Sequence, residues 1–288
     1  METWQAALFG LVQGVTEFLP VSSSGHLRVI EHFSGLTEPQ TTFDLGLHAA
    51  TLAAVMIFFY REIWDMVISP IRSVRNLAGS KGLSGVVEDT GVRGALFIIL
   101  GSIPTAILGF KLGPYLESNA ASLEFVATMF LINSAILMGS RWVVLPTPAR
   151  RLNSGFAGMN FMDAVFIGTV QGLSVARGIS RSGSTISFAI MLGVDRETAG
   201  KFSFLLAIPA IAGATFYSMV SENLGPVPET TPLLVGGAVA FVSGLISLKL
   251  LMAVVKKGKL HVFAPYTLLL GIGLLVWINF GDQLAWWS

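Results

Sequence analysis

Gly10-Leu11-Val12-Gln13-Gly14-Val15-Thr16 leads into Ser22-Ser23-Ser24-Gly25, and 158 positions later Gly168-Thr169-Val170-Gln171-Gly172-Leu173-Ser174 leads into Ser180-Arg181-Ser182-Gly183. At that offset glycine meets glycine three times, glutamine meets glutamine once and serine meets serine twice. The chain carries an internal duplication. The copies differ where charge is concerned: Glu17 and His26 of the first stand opposite Val175 and Ser184, whereas Arg181 of the second stands opposite Ser23. An acid–base half and a cationic half on one repeated scaffold point to a single composite site.

Around the repeats the sequence is 53% hydrophobic and only 12% charged, with a mean hydropathy of +0.71. Soluble domains carry about a quarter charged residues. Recurrent apolar stretches of spanning length predict an integral helical membrane protein. No basic n-region precedes the first apolar stretch, which runs into Glu17 and the serines, so a cleavable signal peptide is not expected. A net charge of +1 argues against a nucleic-acid partner. Zero cysteines exclude disulfides, thiolate chemistry and cysteine metal sites, and leave the compartment open.

Six stretches read as full spans: 43–60, 92–112, 122–145, 203–221, 232–255 and 264–281. The repeated stretches, 4–30 and 160–194, each show an apolar half, a Ser/Gly break and a second apolar half. Neither half is long enough to cross a ~30 Å hydrocarbon core, and backbone broken at membrane depth must be buried in protein or line a wet cavity. The predicted fold is therefore all-α: six transmembrane helices plus two re-entrant helical hairpins. One membrane domain would comprise a first repeat over 1–150 and a second over 151–288.

Charge placement orients it. With the N-terminus outside, the inner connections hold Arg61, Arg72, Arg75, Lys81, Arg150, Arg151, Arg196, Lys201, Lys256, Lys257 and Lys259. The outer connections 113–121 and 222–231 hold Glu117, Glu222 and Glu229 but no Lys or Arg, and only Arg28 and Lys111 lie near the outer face. This obeys the positive-inside rule. Three spans separate the copies, so the second is inverted relative to the first, an arrangement that places a site near the bilayer midplane. The inner connection from Arg61 to Arg93 reads either as an amphipathic segment along the headgroups, through Trp64, Val67, Ile68 and Ile71, or as an ordinary polar loop. Small-residue patches at Gly236-Gly237 and Gly271-x-Gly273 could pack helices within one chain or join two copies as a homodimer.

Gln13 and Glu17 stand at i and i+4 on one helix face. That helix should stop near Pro20, and Ser22-Ser23-Ser24-Gly25 should open the next half with a serine N-cap. A helix start offers unpaired N–H groups and a positive dipole end, a ready anion site. His26 follows in the first turn. Carboxylate, carboxamide, hydroxyls, anion-binding backbone and imidazole together suit phosphoryl transfer. The serines read alone as a plain cap, and Gln13, repeated as Gln171, reads equally as a crossover hydrogen bond. Ionisable residues inside membranes are costly and mark function, which favours a working role for Glu17. In the second copy Arg181 supplies a planar fork matched to phosphate oxygens, flanked by Ser180, Ser182, Gly183 and Thr185. Arg177 reads as a second clamp or, preferably, as a side chain directed to the cytoplasm. Asp44 and His48, another i, i+4 pair, read as a proton path or ion ligand, or more commonly as a satisfied structural contact. No His/Cys metal motif is present, so a divalent ion would take oxygen ligands, Glu17 first among them.

Gln13-x-x-x-Glu17-Phe-Leu-Pro-Val-Ser-Ser-Ser-Gly-His26 resembles the (E/Q)xxxE signature of undecaprenyl-diphosphate phosphatases of the BacA/UppP family. Arg177-Gly-Ile-Ser-Arg-Ser-Gly-Ser-Thr185 resembles that family's PGxSRSxxT signature, and the likeness extends through Phe43-Asp44-Leu-Gly-Leu-His48. The resemblance implies an inner-membrane enzyme that releases phosphate from undecaprenyl diphosphate, recycles the lipid carrier for peptidoglycan and reduces susceptibility to bacitracin. It also implies dependence on a divalent cation (Mg²⁺ or Ca²⁺) and an active site facing the periplasm. Glu17, His26 and Arg181 match the family's catalytic positions, and Ser23 matches a serine regarded as nucleophile or phosphate ligand. Gln13, Ser22, Ser24, Gly25, Ser180, Ser182, Gly183 and Thr185 would then line the substrate. Arg177 replaces the motif proline, leaving Gly178 to terminate the preceding helix.

The expected reaction spreads charge on the transferring phosphoryl group through Arg181, two helix N-termini and a Glu17-bound cation. Water or the Ser23 hydroxyl attacks, activated by His26 or Glu17. A secondary transporter or flippase for a polyprenyl phosphate is the alternative, because inverted repeats of broken helices are transporter anatomy. The asymmetry between the copies favours the hydrolase.

Overall fold

The computed structural model describes residues 2–34, 41–75, 89–119, 122–142, 154–220 and 229–284. Among them the regular structure is entirely helical: α1 (Thr3–Phe18), α2 (Ser23–Phe33), α3 (Thr41–Phe58), α4 (Tyr60–Arg75), α5 (Thr90–Asn119), α6 (Leu123–Trp142), α7 (Phe161–Leu173), α8 (Arg181–Met191), α9 (Arg196–Val220), α10 (Thr230–Lys256) and α11 (Ala264–Leu284). Lys81, Arg150, Arg151 and Glu222 lie outside the described residues.

Five helices, α5, α6, α9, α10 and α11, are long and apolar enough to cross a membrane. A sixth span exists only if α3 and α4 count together, and these meet at a 71° bend. The segment after residue 60 is thus a helix rather than a polar loop. Tyr60, Trp64, Val67 and Ile71 form an exposed stripe along it, the spacing of one helical face. Two further boundaries move from the sequence expectation. The connection expected over 113–121 is helical through Pro114 to Asn119. The connection expected over 195–202 is the cap and first two turns of α9, where the Asp195 carboxylate accepts the Thr198 amide at 3.2 Å.

The repeated stretches break where expected. α1 has 16 residues, α7 has 13, and α2 and α8 have 11 each. At 1.5 Å per residue none exceeds ~24 Å. The repeat glycines explain where they lie. Gly10 of α1 rests against the Gly236 backbone of α10, and Gly14 against Ala240 and Ser243. Gly168 of α7 rests against the Gly101 backbone of α5, and Gly172 against Leu108 and Pro104. A methyl group at these positions would collide with the neighbouring helix, so the short helices are seated by close backbone approach. Hydroxyls reinforce both seats: Ser247 donates to the Gly14 carbonyl at 2.7 Å, and Thr105 to that of Gly168 at 2.8 Å. The first helix of each broken pair therefore leans on a long helix from the other half of the chain. Gly236 and Gly271 are spent on contacts within the chain, against α1 and α6, whereas Gly273 faces open space.

At one end of the bundle, Lys201 lies 3.0 Å from Glu62 and 3.3 Å from Glu197, and Lys256 lies 3.0 Å from Glu197. This gathers α4, α9 and α10 at the end to which the basic residues were assigned.

Candidate active site

α1 stops at Phe18 because Pro20 has no N–H and restricts Leu19 to extended backbone, observed at φ −59° and ψ 145°. Ser22 then adopts φ +71°, the one positive φ outside glycine among the described residues. Such a conformation costs on the order of 1–3 kcal/mol and persists where its surroundings enforce it. Here it aims the Ser22 hydroxyl at two backbone amides, Gly25 at 3.3 Å and Gly178 at 3.1 Å. The first caps α2. The second ties the first break to the second.

The tie is reciprocal. Ser182 of α8 donates back to the Phe18 carbonyl at 2.9 Å. A methyl group on Gly25 would come within 2.7 Å of the Phe130 ring and 3.0 Å of Gly178, and one on Gly183 within 3.0 Å of Pro20, so the two loops pass in close contact. Between them sits Asn133 of α6, fully buried, whose amide nitrogen donates to the Pro20 carbonyl at 3.0 Å and whose oxygen accepts from the Ser180 amide at 2.9 Å. One carboxamide thus holds both breaks. Gly178 does not terminate α7, which ends four residues before Arg177 and is capped by Ser174. Instead Gly178, at φ +106°, lets the second loop pass against Val126 and Met129 of α6. The proline of the motif is therefore not needed as a helix stop.

Because the breaks interlock, the N-termini of α2 and α8 converge, and their first residues, Ser23 and Arg181, meet around Glu17. Glu17 is buried, its side chain 6% exposed. Its Oε1 lies 2.6 Å from Arg181 Nη2. Its Oε2 accepts from Ser23 Oγ at 2.6 Å and from Gln13 Nε2 at 3.1 Å, and lies 3.6 Å from His48 Nδ1. Gln13 Nε2 is also 3.0 Å from His48 Nδ1. Glu17 is thus a buried anion between a cation and a hydroxyl donor. That arrangement can take a proton from Ser23 while Arg181 binds an incoming oxyanion.

The other expected residues are distributed differently. Ser180 caps α8 by accepting the Gly183 amide at 3.1 Å and lies 3.1 Å from the Ser182 hydroxyl. Thr185 donates to the Arg181 carbonyl at 2.8 Å and pairs with the Ser203 hydroxyl of α9. Ser24 is half-buried in the first turn of α2. The ring nitrogens of His26 bond to the Ser22 carbonyl and to the Tyr266 hydroxyl, both at 2.7 Å, rather than to Ser23 or Glu17. Gln171, the repeat partner of Gln13, donates to the Leu206 carbonyl at 3.1 Å and to Thr105 at 3.3 Å, a contact between helices.

Two members of the site, Asn133 and Tyr266, were not singled out from sequence, and a third, His48, was given another partner. His48 was paired with Asp44 but turns to Gln13 and Glu17, while Asp44 Oδ1 is buried without a hydrogen-bond partner. Asn133 had a usable signal, a lone carboxamide in an apolar span. Tyr266 had none, since an aromatic near a span end is ordinary membrane-interface composition.

These features define a multi-pass helical membrane protein with a buried acid–cation cluster where two broken helices cross. The chain belongs to the family described as bacitracin resistance protein BacA, which matches residues 6–273. An undecaprenyl-diphosphatase of Desulforapulum autotrophicum is 42% identical to it, covering 94% of this chain and 97% of the relative. That of Desulfosudis oleivorans is 41% identical over 97% of this chain and 99% of the relative. A protein of the same name from Korarchaeum cryptofilum is 33% identical over 96% of this chain and 99% of the relative.

Proposed function

We infer that this protein hydrolyses undecaprenyl diphosphate to undecaprenyl phosphate and inorganic phosphate, which makes it a determinant of bacitracin resistance. Relatives named for that activity match it over almost their whole length. The observation that carries the chemistry is Glu17 bonded at once to Ser23 and Arg181.

In the proposed reaction the terminal phosphate displaces Glu17 from Arg181, whose fork takes two phosphoryl oxygens. Ser23 Oγ attacks the phosphorus as Glu17 accepts its proton, the bond to the bridging oxygen breaks, and polyprenyl phosphate leaves. Glu17 gives that proton up to the departing polyprenyl phosphate. Water then attacks the phosphoserine, Glu17 accepting its proton and returning it to the Ser23 oxygen as the serine–phosphate bond breaks and phosphate departs. Direct attack by water on the terminal phosphorus uses the same three residues. Rapid-quench labelling separates the routes: label on Ser23 during turnover supports the covalent one, and full turnover without label sinks it.

A divalent cation, Mg²⁺ or Ca²⁺, belongs to this reading. The Glu17 carboxylate and the Gln13 Oε1, buried without a hydrogen-bond partner, are the hard oxygen donors such ions take. Among the described residues no three His, Cys, Asp or Glu side chains could hold a metal by themselves, so substrate phosphate oxygens would complete the set. When bound, the ion supplies charge neutralisation at the diphosphate.

The finer architecture is part of the same proposal. α1–α2 and α7–α8 are re-entrant hairpins of an inverted repeat, supported by their matching glycine seats and reciprocal loop contacts. Together with the basic end of the bundle, this favours the bacterial inner membrane, with the site reached from the periplasmic side. The crossed broken helices also suit a carrier of polyprenyl phosphate.

Phosphate release from a polyprenyl diphosphate by the purified, detergent-solubilised protein tests the assignment. Cation-dependent release that falls by roughly a hundredfold in Glu17→Gln, about 2.7 kcal/mol of transition-state stabilisation, supports it. No release by a well-folded wild type, with either cation, shifts the assignment to the carrier.

A further inference from the structure

We infer that Tyr266 is a positioning residue of the active site, holding the basic nitrogen of His26 where substrate meets it; the inference rests on the hydrolase reading above. His26 Nδ1 lies 2.7 Å from the Ser22 carbonyl oxygen, which can only accept, so Nδ1 carries the proton. Nε2 is then the basic nitrogen, and the Tyr266 hydroxyl, 2.7 Å away, donates to it. The imidazole is fixed at both edges and on its sides. The phenol ring lies parallel to it, 7° apart in plane, and Phe130 meets it edge-on at 5.4 Å between centroids.

The position of the phenol is itself built in. Tyr266 is in the first turn of α11, whose Ala264 carbonyl accepts from Ser134 of α6 at 2.8 Å and from Thr267 at 3.2 Å. Tyr266 remains 48% exposed. His26 and Tyr266 therefore form a dyad between α2 and α11 that opens outward. The Glu17, Ser23 and Arg181 cluster stands on the interior side of the same break, with Ser23 one turn before His26. A lipid diphosphate whose tail lies against the outer helices presents its inner phosphate to the dyad and its terminal phosphate to the cluster. The Ser22 carbonyl sets the tautomer of His26, and Tyr266 holds the ring in the orientation that serves the inner phosphate.

Tyr266→Phe keeps the ring and removes only the hydroxyl. It is expected to lower kcat by about tenfold while KM changes by less than about threefold, because the lost contact orients a group rather than binds the lipid. His26→Ala is expected to cost more, and adding Tyr266→Phe to it should change the rate by less than about twofold, since residues acting as a unit are not additive. A tyrosine that only packs or only holds lipid would give independent, multiplying losses. Multiplying losses overturn the inference, as does a Tyr266→Phe enzyme with wild-type kcat. An inactive wild type overturns the hydrolase reading as well, whereas an active one with an indifferent Tyr266→Phe variant overturns this inference alone.

Discussion

Arg181 Nη2 lies 2.6 Å from Glu17 Oε1, an ion pair between residues 164 positions apart that share no helix and no half of the chain. It exists because two breaks interlock. α1 delivers Glu17 at its last turn, α8 begins at Arg181, and the Ser22, Ser182 and Asn133 bonds clamp the loops between them. Neither charge would be tolerated at membrane depth without the other.

Arg181→Ala should lower phosphate release by roughly a hundredfold or more. It should also destabilise the fold by about 3–5 kcal/mol, because the buried Glu17 carboxylate loses its arginine. Adding Glu17→Gln should recover much of the thermal stability and none of the activity. Melting and turnover of the two single variants and the double variant check this. Equal melting temperatures for Arg181→Ala and the double variant would contradict it.

Asn133→Ala removes a fully buried carboxamide with one bond to each break and leaves the Pro20 carbonyl and the Ser180 amide unpaired. The expected cost is about 2–6 kcal/mol, from two unsatisfied buried groups of about 1–3 kcal/mol each. Activity should fall with it although the Asn133 carboxamide bonds to Pro20 and Ser180 rather than to the Glu17, Ser23 or Arg181 side chains, because the loops that set their spacing come loose. Asn133→Asp, which keeps the acceptor and loses the donor, should retain less than half of wild-type turnover.

Gly10→Leu and Gly168→Leu should each unseat a short helix from its long partner, since Gly236 and Gly101 backbone atoms already occupy the space. Overpacking of this kind costs at least about 1–3 kcal/mol. Both variants should lose monodispersity on size exclusion. Gly273→Leu, where nothing lies within 4 Å, should not.

Removal of divalent ions by a chelator should abolish turnover, and Mg²⁺ or Ca²⁺ should restore it. Gln13→Leu should raise the cation concentration required by about tenfold, as loss of an oxygen ligand does. A Gln13→Leu enzyme with unchanged cation dependence would remove Gln13 from the cation site.

The apolar runs, the Ser/Gly breaks and the repeated motif made the helical membrane class, both broken helices and the convergence of Glu17 and Arg181 on one place legible from residues alone; their direct ion pair was not. These depend on local composition and on a fixed offset, which a linear reading captures. Segment boundaries were less legible. α9 begins seven residues earlier than its apolar run because Asp195 caps it, and α4 is helical because an apolar stripe recurs at helical spacing within a charged segment.

Which partner each polar group meets was decided only in three dimensions. Ser180, Ser182 and Thr185 lie in a motif that suggests phosphate, yet their hydroxyls hold the loops and α9. His48, Asn133 and Tyr266 reach the site from three helices that no spacing rule connects to Glu17. Sequence determines what a residue can donate, accept or ionise, and where the backbone must break. It does not specify which of many buried donors a carboxylate will face, because that follows from close packing of distant helices, and here from glycines that let α1 lie on α10 and α7 on α5.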